Sequence, residues 1–297
     1  MEKMKEFYTM NSFDAHAYKD YLHQILEDRS KLSYLSYNLL EGNKIIRTRI
    51  NETCKIFRNI SDISYPPAEY ARLDRASLKG RPMFYGSVFT HKNETVYLPR
   101  IVNLIETSIF FKDQHSEGRQ LLTQSAWKNT RTLRLVVLPV SLNYIQPCDE
   151  VQDMQKEFYE TAKNIGICVS EEAIFLGDLF ASKKELNTYN MTAHLVDYIL
   201  NESKDAAYFD GIIYPSVPGE GLGMNICIKP SLIDTGIVKC MGASLAMLIK
   251  DKMESKLSSL LDCDIADDGE LLWHNSEMLD KAFQNPYLFN DLLNLSN

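Results

Sequence analysis

Eleven residues, Ile101 to Phe111, carry seven apolar side chains (Ile101, Val102, Leu104, Ile105, Ile109, Phe110 and Phe111) and one charge, the carboxylate of Glu106. Pro99 lies just ahead, where its missing donor is not needed in the first turn of a helix. The spacing therefore predicts a helix over this segment. A carboxylate in such a helix is costly to bury unless a cation or hydrogen bonds compensate it. Arg47, Arg49, Arg72 and Arg75 precede it in the chain as candidate partners. A surface Glu on a partly exposed helix is the competing reading.

Around this segment, strands and helices mix without regular β-α-β alternation, which predicts an α+β fold. Lys44 to Ile50, Met83 to Val88 and Arg131 to Val140 read as strands. So do Gly211 to Val217 and Met224 to Pro230, joined by the Gly-rich loop Pro218 to Gly223. Helical spacing marks Tyr18, Tyr21, Leu22, Ile25 and Leu26. It continues through Leu32, Leu35, Leu39 and Leu40, so the chain is expected to be helical up to about Gly42. Met154 to Ala162, Met191 to Asn201 and the amphipathic Leu245 to Leu261 are further expected helices. Asn51 to Tyr70 reads as a loop closed by Tyr65-Pro66-Pro67, and the acidic Asp262 to Glu270 as a solvated linker into a tail.

Bulk properties limit the function. The chain has 297 residues, 45% of them hydrophobic, enough for a substantial core. Its net charge of −8 disfavours a general electrostatic grip on nucleic acid or anionic lipid, while local arginines can still hold an anion. The six cysteines (Cys54, Cys148, Cys168, Cys227, Cys240 and Cys263) show no Cys-x-x-Cys pair, and the histidines show no metal-ligand spacing. No metal is expected, and the thiols read as reduced. The polar N-terminus and the lack of a long apolar window predict a cytoplasmic protein with no membrane contact. Gly219-Glu220-Gly221-Leu222-Gly223 lacks the spacing of a dinucleotide loop, and Ser216 is not in a nucleophile elbow.

The chemistry concentrates upstream of Glu106. Arg75-Ala76-Ser77-Leu78-Lys79-Gly80-Arg81-Pro82-Met83-Phe84-Tyr85 joins an arginine, whose planar fork suits phosphate, to a tyrosine, which offers a flat face and a hydroxyl. Together they suit a dinucleotide. Taken singly, each reads more simply as a surface charge or a half-buried strand residue.

This segment resembles the Arg-x-Asn-x-x-Gly-x-Pro-x-x-Tyr signature of RES-domain proteins. Glu106 falls where that family places its helix Glu, and Arg47, in Ile45-Ile46-Arg47-Thr48-Arg49, where it places its first Arg. Asp210-Gly211-Ile212-Ile213-Tyr214-Pro215-Ser216, followed by Gly223-Met224-Asn225, is similar to the last hallmark and puts Ser216 in the Ser position. Ala76 and Ser77 depart from the usual aromatic and Asn. The resemblance covers roughly Lys44 to Pro230. It suggests a RES-like catalytic domain over residues 44–235 and does not cover the segments read as an N-terminal helical extension, 1–43, and a C-terminal helix and acidic tail, 236–297.

The resemblance implies an ADP-ribosyltransferase-like fold of mixed sheets with surrounding helices. It also implies action on NAD as substrate, with no separate cofactor: hydrolysis, phosphorolysis, or transfer of ADP-ribose to a protein. Such proteins are usually toxins neutralised by a helix-turn-helix antitoxin. On this reading Glu106 is the catalytic carboxylate, oriented by arginines that also hold the pyrophosphate. Arg47 and Arg75 take the phosphates, Tyr85 meets the nicotinamide riboside, Ser216 supplies a hydroxyl, and Asn225 contributes to binding. A catalytically altered nucleotide-binding module is the alternative.

Overall fold

The computed structural model describes residues 1–28, 30–52, 55–88, 98–112, 116–141, 149–183, 185, 187–217, 223–251 and 254–275. Twelve strands occur among them: β1 (Lys31–Leu32), β2 (Leu35–Leu39), β3 (Lys44–Ile50), β4 (Phe84–Val88), β5 (Gly118–Asn129), β6 (Leu133–Val137), β7 (Cys168–Val169), β8 (Gly211–Pro215), β9 (Met224–Ile228), β10 (Val238–Asp251), β11 (Glu254–Ile265) and β12 (Leu271–Asn275). The helices are α1 (Glu2–Thr9), α2 (Ala15–Leu26), α3 (Ile60–Ile63), α4 (Leu98–Thr107), α5 (Ile109–Lys112), α6 (Asp149–Ile165), α7 (Glu171–Phe180), α8 (Thr188–Asp197) and α9 (Ser231–Asp234). The class is α+β, as expected.

Ten strands share one sheet in the order β12-β11-β10-β5-β3-β4-β9-β8-β6-β2, and β1 pairs with β7 separately. Within the large sheet β6 and β8 run parallel, and the other described pairings are antiparallel. Strand periodicity divides the core between the two faces. Ile212, Tyr214 and Cys227 point toward a helical layer of α1, α2, α7 and α8, together with Phe7, Leu22, Phe180 and Leu195. Their sequence neighbours Ile213, Ile226 and Ile228 point the other way, against Trp127, Phe84 and Leu135.

Local chemistry fixes the helical layer. Asp14 caps α2 by accepting from the backbone of His16 and Ala17, and Ser170 caps α7 by accepting from Ala173. Asn187, just before α8, donates to the carbonyls of Phe7, Tyr8 and Met10 at the end of α1. The carbonyls of Phe7 and Tyr8, which α1 leaves without a helical partner, are thereby satisfied.

Three expectations are corrected. Helix does not continue to Gly42: α2 ends at Leu26, and Leu35 to Leu39 form β2, paired with β6. Leu35 and Leu39 are four apart, a spacing that satisfies both periods, while the exposed Ser36 and Asn38 alternate as a strand requires. Leu245 to Leu261 is not a helix. It falls on the β10–β11 hairpin, which extends the sheet outward from β5. Asp262 to Ile265 belong to β11 and pair with β12, so the expected acidic linker begins as strand. Both segments read as helical additions thus supply strands to the same sheet. The tail beyond residue 275 and most of the Pro218 to Gly223 loop lie outside the described residues.

Among the described residues, no helix is long and apolar enough to cross a membrane.

Candidate functional site

The site grows from a fault in the sheet. β3 and β4 pair only at Ile45–Val88 and Ile46–Ser87, and beyond that point the strands part. Gly86 sits at the fork, where a Cβ would lie 2.5 Å from Ile45 Cγ2 and 3.0 Å from the Ile46 carbonyl, so only glycine allows this close approach. Parting strands leave backbone groups that need new partners. Arg47 donates to the Tyr85 carbonyl at 2.9 Å and to the Ser64 carbonyl at 3.0 Å. The Thr48 N–H donates to the Asn103 side chain of α4.

The gap opens into a cleft of about 1070 Å³ whose walls include Arg47, Thr48, Tyr85, Asn103, Glu106, Tyr214 and Asn225. Arg72, Arg75, Lys183 and Tyr189 line it as well.

Glu106 lies on α4 facing this cleft, half-buried. Its Oε1 accepts from Ser216 Oγ at 2.8 Å and from Asn225 Nδ2 at 2.6 Å. The chain of bonds continues inward: Ser87 Oγ donates to Asn225 Oδ1 at 2.7 Å, and Asn103 Nδ2 donates to Ser87 Oγ at 3.0 Å. Asn103 is one helical turn before Glu106, so both reach the same strands. Four elements, β3, β4, β9 and α4, are thus joined through side chains that end on one carboxylate oxygen. Among the described residues no arginine bonds Glu106; the groups that hold it are the neutral side chains of Ser216 and Asn225.

Arg47 and Arg75 are anchored elsewhere. Arg47 is half-buried, with its guanidinium drawn inward over Phe84 at 5.3 Å, and has its pKa lowered to about 10 by desolvation and then by Arg49, so it remains a cation at neutral pH. Arg75 donates to the carbonyls of Leu179 (3.1 Å), Phe180 (2.7 Å) and Ser182 (3.1 Å) at the end of α7. Its guanidinium also lies 5.4 Å from the Tyr189 ring centre. Both cations border the cleft, but their donors largely serve the fold. Among the described residues, the cations left exposed at the mouth are Arg72 and Lys183.

Tyr85 offers its ring rather than its hydroxyl. That oxygen accepts from the Ala76 N–H and bonds Ser77 Oγ, each at 2.9 Å. Burial pushes the phenol well above its ordinary pKa, with Cys227 the next cause, so it stays neutral. Ser77 therefore ties Tyr85 to the turn before it. Tyr214 and Cys227 are likewise held neutral by burial.

The structure brings Arg47, Arg75, Tyr85, Glu106 and Asn225 to one cleft and bonds Ser216 to Glu106. Sequence reasoning overlooked Asn103, Ser87, Thr48, Tyr214 and Tyr70. Asn103 carried a signal, since it is a polar residue one turn from Glu106 on an otherwise apolar helix. Among the described residues, no group of three or more His, Cys, Asp or Glu side chains is placed to hold a metal ion.

Removing Asn103 would leave the Thr48 N–H without its acceptor and take one donor from the Ser87 hydroxyl. Asn103→Ala is expected to lower unfolding free energy by about 2 kcal/mol, the cost of orphaned buried polar groups. Urea denaturation checks this, and a change under about 0.5 kcal/mol, the size typical of an unimportant surface site, would contradict the network.

No protein-family model matches the chain, and no curated protein matches it.

Proposed function

We propose that the protein cleaves the bond between nicotinamide and ribose in NAD, with Glu106 as the catalytic carboxylate, on an ADP-ribosyltransferase-like fold of the RES type. The observation that carries this reading is Glu106 held by Ser216 and Asn225, facing a cleft bordered by Arg47 and Arg75. As the glycosidic bond breaks, its electron pair leaves with the nicotinamide nitrogen and the ribose C1′ becomes cationic. A fixed anion beside that carbon stabilises the transition state more than the neutral sugar of the ground state. Neutral hydrogen-bond donors hold the carboxylate in place without consuming its charge. Water then adds to C1′ and loses a proton, giving ADP-ribose.

The Tyr85 ring supplies a face for the nicotinamide end. The positive charge of Arg47, Arg75, Arg72 and Lys183 favours the pyrophosphate. A neutralising helix-turn-helix partner rests on the resemblance alone.

The test is purified protein incubated with NAD, with and without inorganic phosphate, read by chromatography of the products. Free nicotinamide with ADP-ribose supports hydrolysis, and a phosphorylated ADP-ribose formed only with phosphate supports phosphorolysis. Labelled ADP-ribose on a macromolecule supports transfer. NAD left intact under all conditions would leave the binding-module alternative in its place.

A further inference from the structure

The lip of the cleft between Pro66 and Leu73 presents two apolar side chains to solvent on either side of a cation. Tyr70 is 67% exposed and Leu73 39% exposed, with the exposed Arg72 between them. Tyr70, Arg72 and Leu73 all line the same cleft as Glu106. A single exposed apolar residue on a surface needs no explanation, but this lip is also rigidly built. Tyr65 ahead of it bonds Asp234 at 2.5 Å, and the Tyr70 N–H donates to the Pro67 carbonyl at 3.0 Å. The Ala71 carbonyl accepts from Gly80 at 3.1 Å, and Asp74 and Ser77 bridge the chain behind it. The fold therefore holds an aromatic ring out toward solvent on a fixed backbone, where packing gives it little return.

We propose that Tyr70 and Leu73 form the platform for the adenine ring of the substrate, with Arg72 beside them meeting the pyrophosphate. This rests on the NAD reading and assigns the far half of the dinucleotide. At about 1070 Å³ the cleft sits at the upper end of the roughly 300–1,000 Å³ of small-molecule sites, leaving room beyond a nicotinamide riboside placed at Glu106. A purine presents an apolar face that stacks on Tyr and Leu, and the adjacent phosphates are anions. A pre-positioned ring needs no ordering when the ligand arrives.

Calorimetric titration with ADP-ribose, which keeps the adenine and pyrophosphate but has no scissile bond, tests the platform directly. Tyr70→Ala is expected to bind about tenfold more weakly than the natural protein, and Tyr70→Trp to recover most of that loss. In parallel, the ratio of kcat/KM for NAD to that for nicotinamide mononucleotide, which lacks the adenosine, is expected to fall about tenfold in Tyr70→Ala. Because Tyr70 is exposed, circular dichroism of the variant should match the natural protein. Equal ADP-ribose affinity in the natural protein and Tyr70→Ala overturns the platform even if NAD is cleaved, as does failure of the natural protein to bind ADP-ribose. Tyr70-dependent binding without nicotinamide release upholds the platform and removes the glycosidic activity instead.

Discussion

Glu106→Gln is expected to lower nicotinamide release from NAD by about 10³-fold, in line with the loss of a preorganised electrostatic group from an active site. The amide is isosteric, and its oxygen can still accept from Ser216 and Asn225, so the packing of α4 against β9 survives while the negative charge goes. Circular dichroism should be unchanged and unfolding free energy should stay within about 1 kcal/mol. Those two readouts separate loss of chemistry from loss of fold. The proposed role of Glu106 falls if the variant turns NAD over within tenfold of the natural rate.

Arg75→Ala is expected to destabilise the protein by about 3 kcal/mol, since hydrogen bonds from a charged group contribute more than neutral ones and an orphaned helix end is costly. The residue is 9% exposed, and it gathers three carbonyls at the end of α7. A cation at a helix C-terminus gains further from the helix dipole. Arg75→Lys should recover only part of the loss, because an ammonium cannot present the planar fork that reaches all three acceptors. Chemical denaturation measures both variants. A cost below about 1 kcal/mol for Arg75→Ala would show that water replaces the guanidinium freely, and would return Arg75 to a purely ligand-facing role.

The strands that build the site were legible because their apolar runs are bounded by turn residues. Lys44 to Ile50 matches β3, and Met83 to Val88 covers β4. Arg131 to Val140, Gly211 to Val217 and Met224 to Pro230 contain β6, β8 and β9. β5 was missed because polar residues occupy its buried positions. Thr123, Gln124, Ser125 and Asn129 are all buried, and their bonds to Asn51, Thr48, Arg47 and the Leu39–Leu40 carbonyls come from distant parts of the chain. β10 misled for the opposite reason: Ala243 to Leu248 are buried without interruption, and the apolar run Leu245 to Leu248 gives no period by which to tell strand from helix.

At the site, sequence reasoning singled out Glu106, Ser216 and Asn225 but not their mutual bonds. It expected salt bridges because arginines were the evident partners for a carboxylate. The actual partners are an amide and a hydroxyl brought in by β8 and β9, some 110 residues further along the chain. Arg75 illustrates the same limit, since its fork suits phosphate and helix-end carbonyls equally well, and only the position of α7 decides between them.

The fork between β3 and β4 has a mechanical consequence. Each strand stays bound on its outer side, β3 to β5 and β4 to β9, so the doorway is framed by intact ladders. The amide of Thr48 and the carbonyl of Tyr85, which a closed sheet would have consumed, already have side-chain partners. The fork therefore leaves neither of these backbone groups without a partner, and no strand has to leave its outer neighbour to keep it open.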